Sequence, residues 1–366
     1  MTGPGTLSRY IAARFAWGFL GALAITMLLF FIVELIELPR RAEGNYQADL
    51  AELMLLALYR LPSRVEQTMI FSVLYGAMWT FIALSRRQEL VVIWALGQSI
   101  WKFLRAPLVV TVLIGLASVA LFNPFAAAMM SKFERFEAQL RLDSKDIGNP
   151  SRANPGLWLR QNGVNGPSIL HARHSADRGL KLYRVVVLRY QTDSDKVLWI
   201  NAEEAELIHD RWFLSNAWVA NPDGEISFWK AYTISTNLSP AQVISSLSDP
   251  GTISFWSLRE NIKLADAAGL SSTRYRMQFQ ALLARPILMC AMILIAATFS
   301  LRIFRFENVV RMVLGGLVSG FVLFFVNSWS WEIGTLGMVP VMVAAWFPAL
   351  VALAIGATAI FVQESR

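Results

Sequence analysis

Residues able to do covalent chemistry are few in this 366-residue chain. It has three histidines, His171, His174 and His209, and one cysteine, Cys290. A lone cysteine allows neither an intrachain disulfide nor a cysteine metal cluster. His171 and His174 stand three apart, and a strand would send such a pair to opposite faces. Ser175, His209 and Asp210 have the residue types of a hydrolytic triad, but nothing in their spacing requires them to meet. No Gly-x4-Gly-Lys-Ser/Thr loop for nucleotide phosphates occurs, and no His-Glu-x-x-His zinc motif. These residues point to no catalytic set, no metal and no cofactor held by this chain. If the protein drives transport, the energy must come from a partner.

Other residues suit binding rather than bond-making. Arg40 and Arg41 follow Pro39 at the end of an apolar run. Adjacent guanidiniums suit phosphate, either of a bound ligand or of ordinary lipid headgroups. Glu34 lies within the same run, and an acid there is expected to face a cavity or a partner. A second segment, Arg86 to Ser99, is basic at its start, then apolar, then broken by Gly97. It reads as a short helix over about residues 87–98 at a membrane surface. It is either a plain interfacial helix anchored by Trp94 and Trp101, or a coupling helix docking on a cytoplasmic ATPase. On the second reading Glu89 supplies a polar contact, Leu90, Val91 and Val92 apolar knobs, and Gly97 the stop.

The elements that must position these residues are set by composition. The chain is 55% hydrophobic and 16% charged, against about 25% charged in an ordinary soluble protein. Its 13 Trp and 23 Phe exclude a disordered chain. Crossing a bilayer takes about 20 apolar residues. Three such runs open the chain, at Phe15 to Leu38, Val65 to Leu84 and Phe103 to Phe125. Three more close it, at Met277 to Leu301, Val309 to Trp331 and Met338 to Val362. The second is the weakest, with Glu66 and Gln67 at its start. The first is too long for a signal core and reads as a retained anchor. The fifth offers Gly315, Gly316 and Gly320, small enough for close helix approach at a subunit seam. Phe321, Phe324 and Phe325 beyond them would line an acyl cavity or face lipid.

Charge placement orients the chain. With cytoplasmic termini, the inner segments hold ten basic residues and three acidic ones. Residues 126–276 hold 18 basic and 16 acidic residues. The net charge of +7 and the pI near 9.7 therefore reflect inner loops, and no nucleic-acid partner is implied. The predicted layout is three spans in residues 1–125, an inserted extracytoplasmic domain in 126–276, and three spans in 277–366. The insert reads as β structure. Its strand candidates include Gly156 to Arg160, Ser168 to Ala172, Leu180 to Tyr190, Lys196 to Asn201, Ala205 to His209, Trp212 to Asn216 and Glu225 to Tyr232. Turn signals separate them, which suggests an antiparallel sandwich or open barrel. A return helix is predicted over Ser257 to Gly269.

Several segments, in order, resemble the YjgP/YjgQ permeases of the lipopolysaccharide export machine, the family of LptF and LptG. They are Arg9-Tyr10-Ile11, Leu61-Pro62, Glu89-Leu90-Val91-Val92 with the glycine that follows, Gly156-Leu157-Trp158, Asn237-Leu238-Ser239-Pro240 and Gly269 to Gln280. The last third is closer to LptG than to LptF. The resemblance implies six spans and a periplasmic β-jellyroll in the inner membrane of a Gram-negative bacterium. It implies one half of an LptF–LptG pair over an LptB-like ATPase dimer, which uses the ATP and magnesium. It implies an LptC-like partner that would receive the lipopolysaccharide. Arg40 and Arg41 would then meet lipid phosphates, and the jellyroll interior that begins at Leu157 and Trp158 would take the acyl chains. Glu34 could pair with a cation of the other permease, its sign being wrong for phosphate, and the sequence assigns it no firm role.

Three other readings compete. A mechanotransmitting ABC permease usually has four spans. A lipid-acting membrane enzyme needs a catalytic set at a membrane boundary. An ion-coupled transporter predicts internal repeats and broken helices.

Overall fold

The computed structural model describes residues 4–42, 49–95, 97–143, 157–163, 166–176, 180–190, 197–208, 211–221, 225–236, 243, 250–267, 271–301 and 309–365. They divide into two compact parts, one helical and one built on a β-sheet.

Helix α1 runs Pro4–Ala42 and α2 Leu50–Arg86. A short α3, Glu89–Ala95, precedes α4, Ile100–Ala117. A π-helical turn, Ser118–Phe122, joins α4 to α5, Asn123–Asp143. After the sheet come α6, Phe255–Ala267, α7, Thr273–Ser300, α8, Val309–Thr335, and α9, Val341–Glu364. Six helical segments among the described residues are long and apolar enough to cross a membrane.

The second span begins earlier than its hydropathy suggests. Asp49 caps α2, and Glu52 closes the reciprocal capping box by accepting from the Asp49 N–H at 2.9 Å. Helix then continues through Arg60, Arg64 and Glu66, which find partners inside the bundle. The third span also overruns its expected end, reaching Asp143 rather than stopping near Phe125. Pro124 has no N–H for the carbonyl of Ala120. The chain widens here into the π turn, with Asn123 N–H donating to Ser118, and goes on as helix.

Helices α2 and α7 form the middle of the helical part, with 56% and 61% of their apolar windows buried. The corresponding shares for α1 and α8 are 11% and 17%, so these two present open apolar faces. Even so, α1 is held tightly to α2. A Cβ on Gly76 would stand 2.7 Å from the Phe19 Cα, and one on Gly18 would stand 2.8 Å from the Gly76 oxygen. Only glycine allows this backbone contact.

The sheet has six strands in chain order, each antiparallel to the one before. They are β1 Leu157–Gly163, β2 Gly166–Ala176, β3 Lys181–Tyr190, β4 Val197–Ile208, β5 Arg211–Ala220 and β6 Ile226–Ser235. Its buried face carries Leu170, Leu182, Val187, Ile200, Trp212 and Val219. The two strands expected at Lys196 to Asn201 and Ala205 to His209 are one strand, β4. Glu203 and Glu204 both face outward in mid-strand and imitate a turn in the sequence pattern. The stretch Asn237 to Pro240 and the start of the strand expected at Gly156 lie outside the described residues. The return helix is α6, and its expected stop at Gly269 is likewise outside them.

Candidate functional site

Groups that could bind partners or ligand gather at the two ends of α1. Tyr10 and Glu34 are 24 positions apart on this one helix, about 36 Å at the α-helical rise.

At the first end, α3 starts on Glu89. The Tyr10 hydroxyl donates to its carboxylate, at 3.0 Å to Oε2 and 3.3 Å to Oε1. Gln88 and Gly97 flank the helix with φ of 59° and 69°, left-handed values that stop and turn the chain. The three apolar knobs proposed for α3 do not act together. Leu90 is 1% exposed and belongs to the core of the bundle, so it offers nothing to a docking partner. Val92 is 59% exposed, and the Val91 side chain lies outside the described residues. Ser99 caps α4 by accepting from the Lys102 N–H at 3.3 Å. Glu364, at the end of α9, accepts from the Ile100 N–H at 3.2 Å. A depression of about 1070 Å³ lies here, walled by Trp94, Ile100, Leu301, Ile355, Val362 and Glu364.

At the second end, Glu34 is buried and accepts from Arg60 Nη1 and Arg64 Nε, each at 3.0 Å. The Arg60 guanidinium also lies over the Phe133 ring, 5.4 Å from its centroid. The partner expected for Glu34 in another subunit is therefore found in its own chain. Two arginines on one glutamate leave a net positive charge, and Arg64 keeps 32% of its side chain exposed. Arg40 is exposed in the last turns of α1. Arg41 is helical in backbone, and its side chain lies outside the described residues, as do those of Leu157 and Trp158.

A third polar group crosses the bundle nearby. Glu66 Oε1 accepts from Arg285 Nη1 and from Asn123 Nδ2, the latter at 2.9 Å. Asn123 Oδ1 accepts the Phe255 N–H at 2.8 Å, which holds the first turn of α6. The Ala120 carbonyl left free by Pro124 accepts Trp256 Nε1 at 3.1 Å. The π turn thus binds the helix that follows the sheet to α2 and α7. Among the described residues, no three His, Cys, Asp or Glu side chains cluster closely enough to hold a metal.

The glycines of α8 depart from the expected subunit seam. A Cβ on Gly315 would meet the Phe299 ring at 2.8 Å, and one on Gly316 would meet Met78 at 2.6 Å. Gly320 likewise faces Leu74. These glycines make room for side chains of α2 and α7, not for a second subunit. Phe321 and Phe324 rest on Phe71 of α2 at 5.4 and 5.3 Å, and Phe325 is 55% exposed.

Sequence reasoning missed Tyr10, Arg60, Arg64, Asn123, Arg285 and Glu364. The signal for four of them was present. Glu34 and Glu66 are acids in apolar helices, and such acids require partners.

The chain matches the family described as "Lipopolysaccharide export system permease LptF/LptG" over residues 9–361. It is 22% identical over 360 residues to the lipopolysaccharide export system permease protein LptG of Escherichia coli (strain K12), covering 94% of this chain and 95% of that one. It is 21% identical over 357 residues to LptG of Haemophilus influenzae, with the same coverage. Nearly the whole chain, with both helical ends and the sheet between them, therefore belongs to the LptF/LptG family of lipopolysaccharide export system permeases.

Proposed function

We propose that this chain is the LptG-type half of an ABC exporter that takes lipopolysaccharide from the outer leaflet of the inner membrane to a periplasmic bridge. The observation carrying this reading is the family match from residue 9 to 361, joined to six membrane-length helices and an inserted sheet. The LptG name of both relatives favours that role over LptF. Both termini are cytoplasmic and the sheet periplasmic on this reading, which rests on the charge asymmetry of the loops.

The chain has no phosphate-binding loop of its own, so an LptB-like ATPase dimer would turn over ATP and magnesium beneath it. Helix α3 offers Glu89 and Val92 as its outward contacts. An LptF-like permease would close the cavity along the open faces of α1 and α8, where the exposed Phe325 lies. An LptC-like protein would receive the lipid. No bond in the cargo is made or broken.

Energetics support the order of contacts. Acyl chains lose about 25 cal/mol for every Å² that meets water, so they need an apolar path from bilayer to sheet interior. The route would enter the sheet near Leu157 and Trp158. The cargo's phosphates stay at headgroup level, where Arg40 and Arg41 end α1. Charge-assisted hydrogen bonds there contribute about 1.5 to 3 kcal/mol each, less when solvated.

A photocrosslinker at position 41, in cells exporting normally, is expected to capture lipopolysaccharide. Replacing Arg40 and Arg41 with Ala should weaken substrate-stimulated ATP hydrolysis and spare basal hydrolysis. An exporting complex in which neither position 41 nor any inward sheet position crosslinks would assign the cargo to the partner permease instead.

A further inference from the structure

The β-sheet has a cleft on the face turned away from its core. Its origin is a break shared by neighbouring strands. Arg184, Glu203 and Asn216 sit side by side where the ladders skip a pair, between bridges such as Tyr183 to Glu204 and Val185 to Ala202. Arg173 on β2 and Lys230 on β6 extend the same row. Arg184 and Asn216 both take left-handed backbone, each with φ of 52°. Asparagine tolerates that conformation, whereas arginine adopts it rarely.

The adjoining outward row holds Val186, Asn201, Trp218 and Phe228, bridged in succession. Between the two rows lies a cleft of about 390 Å³, within the range of small-ligand sites. Val186, Asn201, Arg173, Arg184, Glu203 and Trp218 are among the residues that line it. Asn216 Nδ2 donates to Glu203 Oε2 at 2.7 Å, which fixes the carboxylate. Trp218 is 54% exposed, its ring steadied by Phe228 at 4.9 Å. Among the described residues no acid pairs with either guanidinium.

Like charges facing each other across a strand pair oppose folding. So do a left-handed arginine and a large exposed indole. Among the described residues no acid offsets the facing guanidiniums and Phe228 covers the indole only in part, but one kind of ligand would satisfy all three. An anionic group answers the two guanidiniums, a sugar's C–H face stacks on the indole, and hydroxyls bond to Asn201, Glu203 and Asn216. We propose that this cleft binds an acidic saccharide. A phospholipid phosphate would satisfy the arginines alone and leave the indole and the amide–carboxylate pair without use. The inference deepens the proposed function, on which it rests. A lipopolysaccharide with its acyl chains inside the sheet still has charged sugars that need a surface outside it.

The test uses the full-length protein in detergent and, as probe, the fully deacylated core oligosaccharide of lipopolysaccharide, with binding read by calorimetry. Saturable binding is expected, weakened at least tenfold in the Arg173→Ala/Arg184→Gly double variant and in Trp218→Ala. Glycine suits the left-handed position, so the double variant should fold. Unchanged elution and circular dichroism would verify that. A neutral glucan of equal length and inorganic phosphate should each bind far more weakly. The inference is overturned if the oligosaccharide shows no saturable binding, if the variants bind it equally well, or if inorganic phosphate competes on equal terms. Crosslinking at position 41 separates the two readings. Lipid captured there without oligosaccharide binding removes this site and leaves the lipid path, whereas oligosaccharide binding without lipid capture leaves the saccharide site and assigns the lipid path to the partner permease.

Discussion

Leu90 and Val92 lie two positions apart in α3 and face different surroundings. Leu90 is enclosed in the bundle core, whereas Val92 is on the surface. A carboxylate at position 90 would be buried without a partner, which costs about 3 kcal/mol or more. Leu90→Asp is therefore expected to lower the yield of folded protein. Val92→Asp and Glu89→Lys should leave that yield intact and reduce copurification of the ATPase. Yield in size-exclusion chromatography, beside the amount of bound ATPase, checks both statements. Normal folding of the Leu90 variant would mean that α3 turns its other side to the bundle. The segment itself was legible in the sequence. Its burial was not, because seven residues make too few turns to define an apolar stripe.

At the scale of elements, α1 joins one candidate contact surface to the other and packs backbone to backbone on α2. Gly76→Val would push a side chain into the Phe19 backbone, which cannot give way as a flexible side chain can. The expected effect is a loss of about 3 kcal/mol and a lower thermal midpoint in detergent. Gly21→Ala is the control, since nothing lies within 4 Å of a Cβ there. Equal midpoints for the two variants would show that the α1–α2 contact carries no stability. Glycines at the expected seam of α8 could be read as small residues from the sequence. Which helix they admit depends on where the chain places Phe299, Met78 and Leu74.

For the whole molecule, orientation rests on ten basic against three acidic residues in the inner segments. In a chain with Cys290 replaced, cysteine at position 181 is expected to react with an impermeant maleimide in intact cells. Cysteine at position 87 should react only after the membrane is opened. The opposite pattern would invert the molecule and place the saccharide cleft on the cytoplasmic side, away from the leaflet from which the proposed cargo is taken. Cys290 itself is buried, so its replacement should be conservative to keep the α7 packing.

Six spans, an inserted antiparallel sheet and a helix after it were all determined by hydropathy and local pattern. These act over one element at a time: a bilayer asks for length and apolarity, and a strand asks for alternation. Contacts between distant positions were decided only by the tertiary structure. Glu34 and Glu66 announce in the sequence that partners exist, but Arg60, Arg64, Arg285 and Asn123 were selected by which helices touch. The same holds for the outward row of Arg173, Arg184, Glu203 and Asn216. Each residue interrupts or continues its own strand without remark, and only strand register brings them side by side.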